Sequence, residues 1–348
     1  MTLLLAVLMT ATTACGIGPA GGGGEQQRAL PDIVGMEPRP LSEPTTLRIN
    51  MASRLEAFSN TLLAVALGEF KKENIDVEIV ELPSTDAIGL LAQGDGKIDL
   101  MLASFPAAAF NAVAAGANIA AIYPGYAAGG GDSASVRDGI WIRKEAIENP
   151  ELLRGAVFGS ASGVGGYVPY FLNKYLDKFG LKITDVEIRR FPATEMPLAI
   201  EQGVVMGAYV TCPTCDEVNT DIAEFVIPAE PALSMNIAGP RLLNNPEIAL
   251  AVVRAIARTH VNYLQGNYKE NPEVVKALAG IMQVSEDYIR STPRYKFSTD
   301  LALPPPEVVH EAQQQWVELG GVLNAPEPIP YEKMFRTEFV NQVVNAQK

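Results

Sequence analysis

Two successive rounds of short apolar runs alternating with amphipathic ones constrain this chain more tightly than any motif in it. In the first round, residues 47–51, 77–80, 98–102 and 119–123 read as strands, with helices at 61–72, 85–92 and 106–115 between them. Leu62, Leu63, Val65, Ala66, Leu67 and Phe70 share one side of the first helix, the spacing of a buried helical face. Strand, helix, strand in repeated order demands right-handed crossovers and a mainly parallel sheet flanked by helices. Gly129-Gly130-Gly131-Asp132 interrupts the pattern, and 139–142 restarts it as a strand. The second round has strands at 156–158, 186–189 and 205–210 and helices at 167–179 and 195–201. Gly96-Lys97-Ile98-Asp99 and Gly203-Val204-Val205-Met206 stand before corresponding strands of the two rounds, which predicts two similar lobes with a cleft between them.

The expected class is therefore α/β with two lobes, 45–137 with 230–348 forming one and 138–229 the other. After strands at 225–227 and 233–237 the chain reads as helical, at 246–264, 271–282, a short helix from 285, a helix that Pro304-Pro305-Pro306 leads into and that runs through Trp316 to Leu319, and 331–344, and these helices are expected to pack on the lobes. Hinges are expected near 129–138 and 229–233. At 348 residues and 48% hydrophobic, the chain is long and apolar enough for two cores. Its formal net charge of −13, with no basic run, excludes a broad nucleic-acid or anionic-membrane surface.

The N-terminus reads as an export signal. Leu3-Leu4-Leu5-Ala6-Val7-Leu8-Met9 is followed by Thr10-Ala11-Thr12-Thr13-Ala14-Cys15-Gly16, an apolar core running into small residues and a cysteine. That order is similar to a bacterial lipoprotein signal at 1–15, with Cys15 lipidated and becoming the mature N-terminus. No Lys or Arg precedes the apolar run, and Thr12 stands where such signals usually carry Leu. A cleaved secretory signal is the alternative, whereas the run is too short to span a bilayer. Residues 16–44, with four consecutive glycines and five prolines, read as a flexible tether holding the body off a membrane.

Chemistry-bearing residues are few. His260 and His310 sit in helical patterns and read as packed or exposed helix residues, and with only these two a His-ligated metal site is not expected. Cys212-Pro213-Thr214-Cys215 has no second C-x-x-C to complete a zinc shell; it reads as a local disulfide, structural or labile, or as two free thiols lining the cleft. No cofactor is expected.

The stretch from Leu153 to Gly166 runs turn, short strand, Ser/Gly loop and helix start, a composition that leaves backbone N–H groups and hydroxyls available to a small polar group. In open α/β sheets ligands sit beyond the carboxyl ends of the strands. Loops there carry Ser53, Arg54, Phe58 and Asn60 after the first strand and Ser104 and Phe105 after the third. The second lobe contributes Ser160, Ser162 and Gly163, with Tyr167 at the helix start, and Thr211 with Cys212. Hydroxyls and amides would orient the polar end of a ligand while Phe58, Phe105, Tyr123, Tyr126 and Tyr167 cover its apolar part. Ser104 reads equally as a helix cap, Phe58 and Phe105 equally as core, and Arg54 as a solvated loop charge or a partner for a carboxylate or sulfonate.

Several of these pieces, in this order, resemble a known family. Leu153-Arg154-Gly155-Ala156-Val157-Phe158-Gly159, Gly180-Leu181-Lys182-Ile183-Thr184-Asp185-Val186, the segment from Gly203 to Pro213, Asn271-Pro272-Glu273 and Gly320-Gly321-Val322-Leu323 match short family motifs in register. Over about 47–339 the chain is similar to the extracytoplasmic substrate-binding proteins of ABC importers, in particular the nitrate, alkanesulfonate, taurine and thiamine-pyrimidine-precursor group. The resemblance implies a type II periplasmic-binding fold and a monomer exported to the outer face of the cell membrane. It implies capture of a small organic solute, a sulfonate, carboxylate or aromatic heterocycle, and delivery to a permease with its ATPase subunits. Membrane contact would be through the lipid anchor only. Met206-Gly207 and Thr211-Cys212 depart from the family's usual Asp-Ala and Trp-Glu, so the ligand is expected to differ from those of familiar members.

The rival readings are an enzyme of the same fold related to thiamine-pyrimidine synthesis and a sensing lobe for a signalling partner. The Cys-rich motif and histidine of that enzyme branch are not found. Gly159-Ser160-Ala161-Ser162-Gly163 superficially resembles a nucleophile elbow but has Ala161 at its centre.

Overall fold

The computed structural model describes residues 35–127, 137–212, 214–230 and 232–344. The expected signal with Cys15, the tether as far as residue 34 and most of the first hinge lie outside them. Ten strands follow in chain order: β1 (Thr45–Met51), β2 (Ile75–Glu81), β3 (Leu100–Ala103), β4 (Ala120–Pro124), β5 (Gly139–Arg143), β6 (Val157–Ser160), β7 (Glu187–Arg190), β8 (Gly207–Val210), β9 (Ala223–Pro228) and β10 (Met235–Ala238).

They form two five-stranded sheets ordered β2-β1-β3-β10-β4 and β7-β6-β8-β5-β9. The second order repeats the first when β6 is set on β1, and the echoed Gly96 and Gly203 segments precede β3 and β8, which hold the same central place. The expected mainly parallel sheets are mixed. β1 pairs in parallel with β2 and β3, whereas β10 runs antiparallel to β3 and β4; likewise β5 runs antiparallel to β8 and β9. Each antiparallel strand enters from the other lobe and starts at the edge where its neighbours end. Alternating hydrophobicity carries no information about that direction.

Leu47, Ile49 and Met51 alternate into the first core along β1, and all of β3 is buried. The helix Pro246–Tyr263 starts with proline in its first turn, where no intrahelical N–H is lost, and is buried continuously from Ala249 to His260. The helix Pro306–Leu319 joins the lobes: Trp316 stacks on Phe105 of the first at 5.1 Å and its Nε1 donates to the Gly166 carbonyl of the second at 2.9 Å.

The tether expected over 16–44 is bound to the body from residue 35 onward. Arg258 Nη1 donates to the Met36 carbonyl (2.7 Å), Arg254 Nη2 to that of Arg39 (3.1 Å), and the Leu41 amide to that of Glu73 (3.0 Å). Beneath this strap lies a buried ion network in which Glu73 accepts from Arg254 (2.5 Å) and Arg258 (2.6 Å), and Arg258 also reaches Glu69 (2.7 Å). Two arginines in the middle of an apolar helix recruit the strap because their remaining donors need acceptors.

Candidate functional site

A cavity of about 190 Å³ lies between the lobes. From the first lobe it takes the loop Arg54–Phe58 after β1, Ser104 after β3, Tyr126 after β4 and Ser234 before β10; from the second, Tyr167 beyond β6, Thr211 and Cys212 after β8, and Asp138 before β5. Because the crossing strands are antiparallel, their starts lie at the same edge as the carboxyl ends of their neighbours, so both lobes present this edge to the cleft. The segment from Met282 to Tyr295 closes one side.

Two close approaches shape the crossings. A Cβ at Gly125 would meet Ser234 Oγ at 1.8 Å, so a glycine there is what lets the backbone before Tyr126 approach Ser234 this closely. At Gly139, φ is +153° and a Cβ would meet the Ile227 carbonyl oxygen at 2.0 Å, so only glycine holds the backbone that presents Asp138.

Asp138 is 4% exposed. Its Oδ1 accepts from the Cys212 amide (2.5 Å) and its Oδ2 from the Tyr295 hydroxyl (3.0 Å), while its backbone carbonyl accepts from the Ala229 amide. Burial raises its carboxyl from 3.8 to about 6, against the pull of those two donors. Tyrosines crowd around it: Tyr126 and Tyr295 lie 4.7 Å apart at 57°, and Tyr167 meets Tyr209 edge-on at 4.9 Å. Burial pushes the Tyr167 hydroxyl up to about 12 and those of Tyr126 and Tyr295 upward as well, so all three are neutral donors.

The other two charges of the lining are compensated. Arg54 Nε donates to Glu81 (2.7 Å) and its Nη1 to the Ile281 carbonyl (2.6 Å). Glu56 accepts from Tyr268 (2.8 Å), Lys269 (2.9 Å) and Thr292 (2.7 Å). Cys212 and Cys215 are joined in a disulfide that closes the loop carrying the Cys212 amide. Among the described residues, no group of three or more His, Cys, Asp or Glu is placed to hold a metal, and no helix is long and apolar enough to cross a membrane.

Residues 56–294, more than half of the chain, match the sequence profile of the family described as NMT1/THI5 like. This chain belongs to that family. No match appears among curated protein sequences. In fold, this NMT1/THI5-like protein is similar to the alkanesulfonate-binding protein SsuA from Xanthomonas axonopodis pv. citri bound to MOPS, at 17% identity and TM-score 0.59 over 85% of this chain and 100% of that one. It is also similar to the periplasmic nitrate-binding protein NrtA from Synechocystis PCC 6803, at 15% identity and TM-score 0.58 over 89% and 88%. The desulfurization enzyme DSZB shares the fold too, at 14% identity and TM-score 0.56 over 87% and 100%. Binding proteins and an enzyme are thus built on the frame this family member uses.

Of the residues expected to meet a ligand, Arg54, Phe58, Ser104, Tyr126, Tyr167, Thr211 and Cys212 converge on the cavity of the NMT1/THI5-like chain. Ser104 does not cap the helix Ala107–Ala114, whose start has no side-chain cap. The others lie elsewhere. Phe105 is buried between Phe110 and Trp316, and Tyr123 on the core side of β4 is bonded to Thr61 Oγ1 at 2.9 Å. Asn60 spends its amide on the Pro124 carbonyl (3.2 Å) and on His260 Nε2 (3.2 Å). Ser53 is exposed outside the lining.

The Ser/Gly loop closes on itself. Ser160 Oγ donates to the Gly163 carbonyl at 3.0 Å, Ser162 turns to the surface beside it, and Gly163 is buried in the turn. Pro169 in the first turn of the following helix also removes an amide. Sequence reasoning missed Asp138 and Tyr295 as cavity residues. A carboxylate immediately before a buried apolar strand was the available signal for the first; Tyr295 lies in a C-terminal segment that only packing returns to the cleft.

Proposed function

We propose that this family member is the extracytoplasmic solute-binding component of an ABC importer, lipid-anchored through Cys15, exported and monomeric. It traps a small organic solute between its lobes and passes it unchanged to a permease driven by an ATPase. The observation that carries this reading is a cavity walled by both lobes, at the point where the chain crosses between them twice. Closure about those crossings buries the solute and alters the surface a permease meets. The cavity is smaller than the ~300–1,000 Å³ typical of pockets for drug-sized ligands, in keeping with a small solute.

The one thiol-bearing residue of the lining, Cys212, is tied to Cys215 in a disulfide. Small-angle scattering of the purified protein during titration with candidate solutes tests the proposal. A decrease in radius of gyration that saturates with ligand, with the solute recovered unaltered by mass spectrometry, is the expected result. Chemical conversion of the solute, or binding without compaction, would refute it.

A further inference from the structure

Among the described residues the lining holds three charged side chains, and only one of them lacks a partner of opposite charge there. Arg54 is balanced by Glu81 and Glu56 by Lys269, whereas Asp138 receives only two neutral donors, the Cys212 amide and the Tyr295 hydroxyl. A carboxylate offers about four acceptor sites, so two on Asp138 remain for whatever enters. Burying an ion without a counter-ion is costly, and among the described residues none is paired with Asp138, which lines the cavity.

The rings around the carboxylate point the same way. Tyr126, Tyr167 and Tyr295 border the same space. Ring faces carry negative potential, which attracts a cation and disfavours an anion. The guanidinium of Arg54 is committed to Glu81, and the Ser160 hydroxyl to the Ser/Gly loop's own turn.

We infer that this cleft selects small organic cations, an ammonium group carried on an apolar or aromatic body, with Asp138 as counter-ion and Tyr126, Tyr167 and Tyr295 as walls; the inference rests on the reading of the cleft as a solute site. The ammonium hydrogens fill the two open acceptor sites of Asp138, and the body lies against Phe58 and the tyrosine rings. The specificity is thus opposite in charge to the sulfonate and nitrate named for the proteins that share its fold.

Isothermal titration of the full chain near pH 7.5 with benzylammonium, choline, benzyl alcohol and benzenesulfonate tests it. Benzylammonium is expected to bind at least about 10-fold more tightly than its neutral isostere and on the order of 100-fold more tightly than benzenesulfonate. Asp138→Asn should erase the preference for benzylammonium over benzyl alcohol, and Tyr126→Leu should weaken benzylammonium and choline together. Choline tighter than benzylammonium still supports a cation site, with the rings outweighing the hydrogen bonds. Benzenesulfonate binding as tightly as benzylammonium, or an unchanged preference in Asp138→Asn, overturns the charge assignment while leaving a solute-binding cleft. Silence toward every probe up to about 10 mM overturns the cleft reading itself and the inference with it.

Discussion

Replacing Asp138 by asparagine should make the empty protein more stable at neutral pH. The carboxyl titrates near 3.8 in the unfolded chain and about 6 in the folded one, a difference that corresponds to about 3 kcal/mol. Because the folded pKa is the higher, the native state binds the extra proton between these values, and stability falls as pH rises from about 4 to 6. At pH 7 the whole penalty is present; below about pH 4 it is gone. Asparagine approximates the protonated acid and can still accept from the Cys212 amide. Urea unfolding should therefore place Asp138→Asn about 3 kcal/mol above the wild type at pH 7, with the difference vanishing near pH 4. At the roughly 2 °C per kcal/mol expected of a chain this long, Tm rises by about 6 °C. A difference equal at both pH values, or a variant less stable at pH 7, would refute the reasoning. Such a gain alongside lost ligand binding is the usual cost of a functional carboxylate kept in a poorly solvating place.

His260 opposes this trend in the same pH range. Burial lowers its pKa from 6.5 to about 4, outweighing the Ser298 carbonyl at its Nδ1 and the nearby Asp300 charge, both of which pull the other way. The unfolded chain gains the proton first, so stability falls as pH drops from about 6.5 to 4, by about 3 kcal/mol. Asp138→Asn should unmask this loss as a steeper acid limb in its stability profile. Glu73→Ala strands Arg254 and Arg258 in the core without their shared carboxylate and should cost about 3–5 kcal/mol by denaturant unfolding. Reducing the Cys212–Cys215 bridge, which closes a four-residue loop, should cost only ~2 kcal/mol of stability but loosen the amide that Asp138 accepts, seen as weaker binding of benzylammonium in reducing buffer. Gly139→Ala should destabilise the fold by more than about 2 kcal/mol in urea, since its Cβ meets the Ile227 carbonyl.

Local chemistry was legible wherever a residue's environment follows from its neighbours in sequence. Strands such as β1 and β3 declare themselves by apolar periodicity, and Pro246 marks a helix start. Ser160 shows the limit: its loop has the composition of a ligand grip, yet its hydroxyl is satisfied three residues away by Gly163. Composition names the groups that can bond and leaves open which partner each one finds first. Phe105 and Tyr123 failed as ligand residues for a related reason, because an aromatic ring near a strand end can turn to either side of the sheet, and here the core side won.

Two βα lobes, the strands that build them and the strand ends where a cleft belongs follow from residue order alone, since each depends on periodicities of a few residues. Tertiary structure decided the direction of β5 and β10, the anchoring of residues 35–44 and the make-up of the cavity. Asp138 and Tyr295 are 157 residues apart and meet only because the chain crosses twice and its C-terminal segment folds back over the crossings. That Asp138 is paired with no counter-ion among the described residues is a property of that meeting, since residue order alone does not say which side chains packing brings beside it.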